Sequence, residues 1–342
     1  MSDVTLRPAP DAPRDASSAG FLRRVLGARA AQTRIGEAQA GPGYYAVIVL
    51  LILMALGPIW LMVTTSLKEK VDIVSGTSAL FFAPTLTNYE KVLCDVLWYE
   101  PQNIGYCDPT FTRALGNSIA IASISTALTL ILGTMAAYAL VRFRFLGRDT
   151  VSLGTLVMRM VPPAVLLVPI FGLWTFVYVL PSVGFNGSVL PWEWSFQWIS
   201  MQGTWTGIVL VYVAMNLPFV IWILQSFIQQ VPLPLEEAAR MDGAGPFQTF
   251  FLVVLPLIKP GLAAAAIFTF RIAWNELILA NVLLDRSTRT VPVTIVNSLT
   301  EHNIDWGVIM ATGMLLAVPP IIFTLVASRQ IITGMTAGAV KG

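Results

Sequence analysis

Carboxylates carry the clearest chemical potential in this 342-residue chain, and they gather in two stretches. One reads Leu235-Glu236-Glu237-Ala238-Ala239-Arg240-Met241-Asp242-Gly243-Ala244. The other reads Ala273-Trp274-Asn275-Glu276. Paired acids at a membrane face can serve proton transfer or metal-assisted group transfer, so a membrane-embedded enzyme such as a glycosyltransferase is one reading. The rest of the chain does not equip it. His302 is the sole histidine and Cys94 and Cys107 the only cysteines, which excludes clustered His/Cys metal sites. A phosphate-cradling loop needs Gly-Lys-Ser/Thr. The five lysines, 68, 70, 91, 259 and 341, follow Leu, Glu, Glu, Ile and Val, so the chain has no ATP site of this kind. No catalytic or metal-binding residue is assigned. Recognition remains: Trp274, Asn275 and Glu276 offer a ring to stack on a pyranose face and groups to bind sugar hydroxyls. Asn117 is a weaker candidate for the same path. The alternative role of Glu276 is a structural ion pair with Arg271 or Arg159.

The elements that must carry these residues are membrane helices. The chain is 56% hydrophobic and 12% charged, with a mean hydropathy of +0.72, where soluble domains hold about 25% charged residues. A spanning helix needs about 20 apolar residues. Six such runs occur, near 44–66, 114–141, 151–180, 204–228, 261–281 and 306–328. Pro162-Pro163 and Pro319-Pro320 are expected to kink the third and sixth. The fifth is expected to carry Arg271 and Glu276. Residues 1–43 are polar and hold six arginines but no signal-peptide pattern. They are expected to form a disordered cytoplasmic extension. The spanning domain is expected at 44–332 and a cytoplasmic tail at 333–342.

An even number of spans puts both termini on one side. That side would hold thirteen basic residues against six on the other. The positive-inside rule makes it the cytoplasm. The loops at 67–113, 181–203 and 283–305 are then external, with Trp192, Trp194, Trp198 and Trp205 as an interfacial belt. Cys94 and Cys107 share the first of these loops. They are either a disulfide or two free thiols, according to how oxidising that side is.

The internal loop, 229–260, carries most information. Good helix formers from Leu235 to Asp242 predict a short helix, and Gly243 a stop. Pro246 suits the first turn of a second helix. Pro256 and Pro260 break the chain before it turns apolar again. Glu237 shares a face with Met241, and Ala238 with Asp242. A short half-polar helix with paired alanines suits a groove on another protein.

Glu237-Ala238-Ala239, Asp242-Gly243-Ala244, Leu255-Pro256 and Pro260 resemble the "EAA" loop of permease subunits of binding-protein-dependent ABC importers. Three further pieces are similar to the carbohydrate branch, in particular the second permease subunit of maltose-type systems. They are Thr65-Ser66-Leu67-Lys68 with Pro84 and Asn88-Tyr89, the Trp274-Asn275-Glu276 motif, and the tail from Gly334 to Gly342. The long leader and the Cys94–Cys107 segment depart from the pattern.

The resemblance implies an all-α membrane protein with six transmembrane helices, the type I ABC importer permease fold, and cytoplasmic termini in a bacterial inner membrane. It implies that Glu236, Glu237, Ala238, Ala239, Asp242, Gly243, Ala244 and Pro256 couple the subunit to an ATPase. It implies no cofactor on this chain, with ATP and Mg on a partner ATP-binding subunit present as a dimer. The other implied partners are a second, different permease subunit, a periplasmic or lipid-anchored solute-binding protein, a carbohydrate substrate and membrane lipids. No nucleic acid is implied. The alternative is a subunit of an ion-coupled secondary transporter. Such proteins usually show internal repeats and broken helices around a midplane site, and no repeat is evident here.

Overall fold

Apolar runs too long for a soluble helix become the long helices of the molecule. The computed structural model describes residues 42–75, 82–94, 110–182, 202–299 and 304–339. The expected extension at 1–41, most of the second outer loop with Trp192, Trp194 and Trp198, Cys107, His302 and the last three residues lie outside the described residues.

Among the described residues, four helices are long and apolar enough to cross a membrane singly: α1 (Pro42–Ser66), α4 (Thr110–Arg142), α7 (Trp205–Gln229) and α14 (Trp306–Ala339). Between α1 and α4 lie two short helices, α2 (Lys70–Val74) and α3 (Thr87–Val92). The other two expected spans are bent pairs. α5 (Arg148–Met158) and α6 (Pro163–Ser182) meet at 102°, a sharper break than the kink expected from sequence. Pro163 has no N–H for the preceding turn, and each proline drives the residue before it out of helical geometry.

The second bent pair begins in the 229–260 loop. α8 (Leu233–Met241) leads to α9 (Pro246–Thr249), a π-helical turn at Phe250–Val254 and α10 (Leu255–Leu257). α11 (Lys259–Trp274) then leaves at 74°. α11 ends at Trp274, so Glu276 lies beyond that helix and not inside the expected span. Two short helices follow, α12 (Ile278–Leu283) and α13 (Val291–Leu299). α14 runs through Pro319 and Pro320 and past the expected boundary at 332.

The chain divides into two compact units between Trp60 and Leu61. The first contributes the bulk of α1 to the described residues. In the second, α4 and α7 form the most extensive pairing, and α11 packs on α4, α7 and α14. A Cβ on Gly133 of α4 would collide with Val220 of α7, so the glycine permits the close approach. Two apolar clusters line this pairing. One holds Ile121, Ile208, Tyr212, Trp274 and Leu279; the other holds Ala137, Leu140, Val220, Leu224 and Ile258. Leu128, Ile131, Leu132 and Met135 on the outer face of α4 are exposed, as lipid contact requires.

The start of the 67–113 loop meets the helix α3 that lies within it. Asn88 donates to the carbonyls of Ser66 (2.9 Å) and Lys68 (2.7 Å), and the Tyr89 and Ser66 hydroxyls lie 2.8 Å apart. The two pieces quoted above from this loop are therefore one clasp.

Candidate functional site

Pro234 in the first turn of α8 sets its start, and the stop is built from backbone alone. Gly243 adopts φ +91°, a conformation that favours glycine. The Gly243 N–H donates to Arg240 O (3.0 Å) and the Ala244 N–H to Ala239 O (2.9 Å), the paired bonds of a Schellman motif. The Gly245 N–H then donates to the Gln248 side chain (2.9 Å) as α9 begins. The loop thus turns twice in a few residues and has a defined outward face.

Adjacent positions on a helix point about 100° apart, at 3.6 residues per turn, and the two glutamates separate accordingly. Glu236 is wholly buried. Its carboxylate accepts from Arg142 Nε (2.6 Å) and from the Tyr138 hydroxyl (3.0 Å), both on α4. Arg142 Nη2 also donates to Ile228 O (3.0 Å) and Val231 O (2.8 Å), satisfying carbonyls at the C-terminal end of α7. One guanidinium therefore ties α4, α7 and α8 together. Glu236, expected on the docking face, is instead the loop's anchor, because burial turns it toward Arg142.

Glu237, Ala238, Arg240, Met241, Asp242 and Gly243 face outward, with Ala239 and Ala244 half-buried. Met241 (88% exposed) and Phe247 (75%) stand beside them, and Leu233 and Leu235 are also exposed. Met and aromatic residues among a few charges are the make-up of a protein interface. Pro256 is exposed in the first turn of α10. Arg142 and Tyr138 were missed from sequence. The available signal was weak: two adjacent acids about 100° apart on a short helix, of which only one is buried.

The expected sugar trio does not assemble. Trp274 is buried, donates through Nε1 to Leu316 O (3.2 Å) and stacks on Phe270, so its ring has no free face toward a substrate path. Asn275 is exposed and donates to Arg271 O (3.0 Å). Glu276 accepts from the Tyr212 hydroxyl (2.8 Å) and from the amides of Leu279 (2.9 Å) and Ala280 (3.0 Å). It holds the first turn of α12, whose amides need acceptors, and pairs with neither Arg271 nor Arg159. Arg159 instead lies over the Phe219 ring, 3.9 Å from its centroid. Asn117 is buried and spends its amide on Ser287 O and Arg289 O.

Glu276→Ala is therefore expected to lower the melting temperature of the assembled complex. Three bonds to a charged group are lost, each worth about 1.5–3 kcal/mol. Neutralising Arg271 or Arg159 should not restore it. A thermal melt of single and double variants checks this; rescue by either arginine change contradicts it.

A cavity of about 710 Å³ opens where α5 breaks from α6 and faces α7. Met158, Arg159, Pro163, Asn216 and Pro218 are among its lining residues. A cation inside a span faces protein or water, and Arg159 faces this cavity.

Fold and site together are those of a multi-span helical membrane protein with an anchored, outward-facing loop at one end. Residues 129–334 match the model of the "binding-protein-dependent transport system inner membrane component". The trehalose transport system permease protein SugB of Mycobacterium tuberculosis is 33% identical over 303 residues, 87% of this chain and 97% of that protein. The trehalose/maltose transport system permease protein MalG of Thermococcus litoralis is 32% identical over 86% of this chain and 94% of its own length. The sulfoquinovosyl glycerol transport system permease protein SmoH of Agrobacterium fabrum is 31% identical over 87% and 93%. A solved bacterial ABC transporter involved in alginate import has the same fold, with TM-score 0.65 at 20% identity, covering 93% of this chain and 99% of that one. The chain belongs to the family of inner membrane components of binding-protein-dependent transport systems. It is a permease subunit and not an enzyme.

Proposed function

We propose that this permease subunit moves a carbohydrate across a bacterial cytoplasmic membrane by alternating access, driven by ATP hydrolysed on another chain. The observation that carries the ATP-driven reading is the outward face of α8, braced from behind by Arg142 and Glu236. A loop so braced transmits a push to α4 and α7 as one body. ATP-binding subunits, holding ATP and Mg, would dock on this face, one of a pair on each permease. A second, unlike permease subunit would complete the path, and a soluble or lipid-anchored binding protein would deliver substrate from outside. Closure of the motor would then rock the helices between inward- and outward-open states. The substrate class is supported by the sugar-related names of the trehalose, trehalose/maltose and diacetylchitobiose permeases that this chain resembles. Within the subunit, the cavity at the α5–α6 break, with Arg159 and Asn216, is the better candidate for the path than Trp274.

The test is uptake of labelled sugars by vesicles holding the whole complex and its binding protein. Uptake requiring enclosed ATP is expected. Uptake driven by a sodium or proton gradient without ATP contradicts the reading.

We also propose that Cys94 and Cys107 form a disulfide on the external face. Support comes from Cys94, which is not a free thiol. Closing such a loop stabilises by about 3 kcal/mol in the chain-entropy model. Alkylation without reductant followed by mass spectrometry is expected to leave both residues unmodified. Two alkylated thiols contradict it.

A further inference from the structure

At the end of α4 opposite the anchored loop, a cavity of about 400 Å³ is lined by Arg113, Arg286 and Arg289, with Asn117, Thr294 and Ser298. Arg113 and Asn117 stand at the start of α4, while Tyr138 and Arg142 stand at its end. At ~1.5 Å per residue the two sites lie about a bilayer's thickness apart. Three of the six basic residues assigned to the external side by the positive-inside count line this one cavity.

None of these arginines has a carboxylate within ion-pair distance among the described residues. Ion pairs among the described residues include Lys91–Asp305, Arg142–Glu236 and Arg148–Asp149. Asp285, next to Arg286 in sequence, lies against Gly203. The segment bearing Arg286 and Arg289 is fixed all the same. Asn117 donates to Ser287 O (3.1 Å) and Arg289 O (2.9 Å). Thr288 donates to Gly203 O (2.9 Å), and the Val291 N–H donates to Ser118 Oγ (2.9 Å).

Three cations around one cavity repel each other, and a fixed backbone keeps the segment that bears two of them from relaxing away. Such an arrangement is preorganised for an anion. Guanidinium groups match carboxylates in planar, bidentate geometry. Among the described residues no aromatic ring lines the cavity, and these residues offer no flat apolar surface on which a sugar ring stacks. Ligand pockets are predominantly apolar; this lining is instead that of a charged docking surface.

We infer that this cavity receives carboxylate side chains of the soluble binding protein that delivers the substrate. The inference rests on the proposed function, under which this end of α4 is external. It adds the residues that recognise the partner and the chemistry that the partner must present.

The experiment uses the complete complex in nanodiscs, with the binding protein that stimulates its ATPase. The single variants are Arg286→Glu and Arg289→Glu, with Arg286→Gln and Arg289→Gln as milder changes. Basal ATP hydrolysis and gel-filtration profile are expected to stay as in the wild type. The binding-protein concentration for half-maximal stimulation is expected to rise about tenfold or more for each reversal, equivalent to about 1.4 kcal/mol, and less for the glutamines. Raising the salt should weaken stimulation of the wild type more than that of the variants, because exposed charges are screened. Reversing an acidic residue on the binding protein should restore one of the arginine variants.

Unchanged half-saturation in all four variants, with the wild type stimulated normally, overturns this inference alone. A wild-type complex that no binding protein stimulates overturns the proposed function and this inference with it. A raised KM for a uronate substrate at unchanged half-saturation assigns the cavity to substrate carboxylates and also overturns the inference. So does an effect that appears only when the nanodiscs contain anionic lipid.

Discussion

Replacing Arg142 with alanine is expected to cost the complex its assembly. Glu236 would remain wholly buried without its cation, and Ile228 and Val231 would each lose a donor to their carbonyls. Breaking a buried pair from one side costs about 3–5 kcal/mol in soluble proteins, a large fraction of the usual margin of about 5–15 kcal/mol. The Tyr138 bond to Glu236 would survive but would not neutralise it. The double change Arg142→Met with Glu236→Leu should recover much of the loss, since apolar groups of similar volume often replace a buried pair at little cost. Recovery should be partial, because the two carbonyls stay without their donor. Thermal melts of the detergent-extracted complex check both. A wild-type melt for Arg142→Ala alone contradicts the anchoring role.

Changes on the other side of the same helix should leave assembly intact and abolish coupling. Glu237 is exposed, so Glu237→Lys strands no buried charge and meets only the partner. A Cβ at Gly243 meets nothing within 4 Å in this subunit. Gly243→Ala therefore costs only the backbone strain of φ +91°, about 1–2 kcal/mol. Gly243→Asp adds a charged obstacle on the outward face. ATP-dependent uptake is expected to fall at least about tenfold with Glu237→Lys and Gly243→Asp, a coupling loss of about 1.4 kcal/mol. Gly243→Asn should be milder, since asparagine tolerates this conformation. Uptake kinetics with purified complexes distinguish the series. Normal uptake with both charged variants would remove the docking role.

The contrast between Glu236 and Glu237 shows where sequence stops. The long helices α1, α4, α7 and α14 are legible because each is an apolar run of membrane length, and that pattern is local. The Gly243 stop and the Pro246 start are legible for the same reason. Pro162-Pro163 announces a break but not its 102°, which depends on how α5 and α6 pack. The end of α11 at Trp274 carries only a weak local signal, Asn275 at the C-cap with Arg271 in the last turn. The bond from Tyr212 to Glu276 just beyond it comes from far away in sequence. The role of Glu236 depends likewise on Arg142, 94 positions away. Side chains that satisfy distant backbone groups leave no periodic trace, and the substrate trio was misjudged for that reason. Trp274 is an aromatic ring fixed by Leu316 and Phe270 rather than one waiting for a sugar.

The central claim is that a separate ATP-hydrolysing chain seats on the outward face of α8. Photo-crosslinking measures this directly. A benzophenone amino acid replaces Met241, which is 88% exposed beside Glu237, or Leu132, an exposed apolar position within α4. The assembled complex is then irradiated with and without ATP. The account predicts an adduct with the ATP-binding subunit from position 241, changed in yield by ATP, and none from position 132. A complex that still imports substrate with ATP, yet yields no such adduct from position 241, contradicts it.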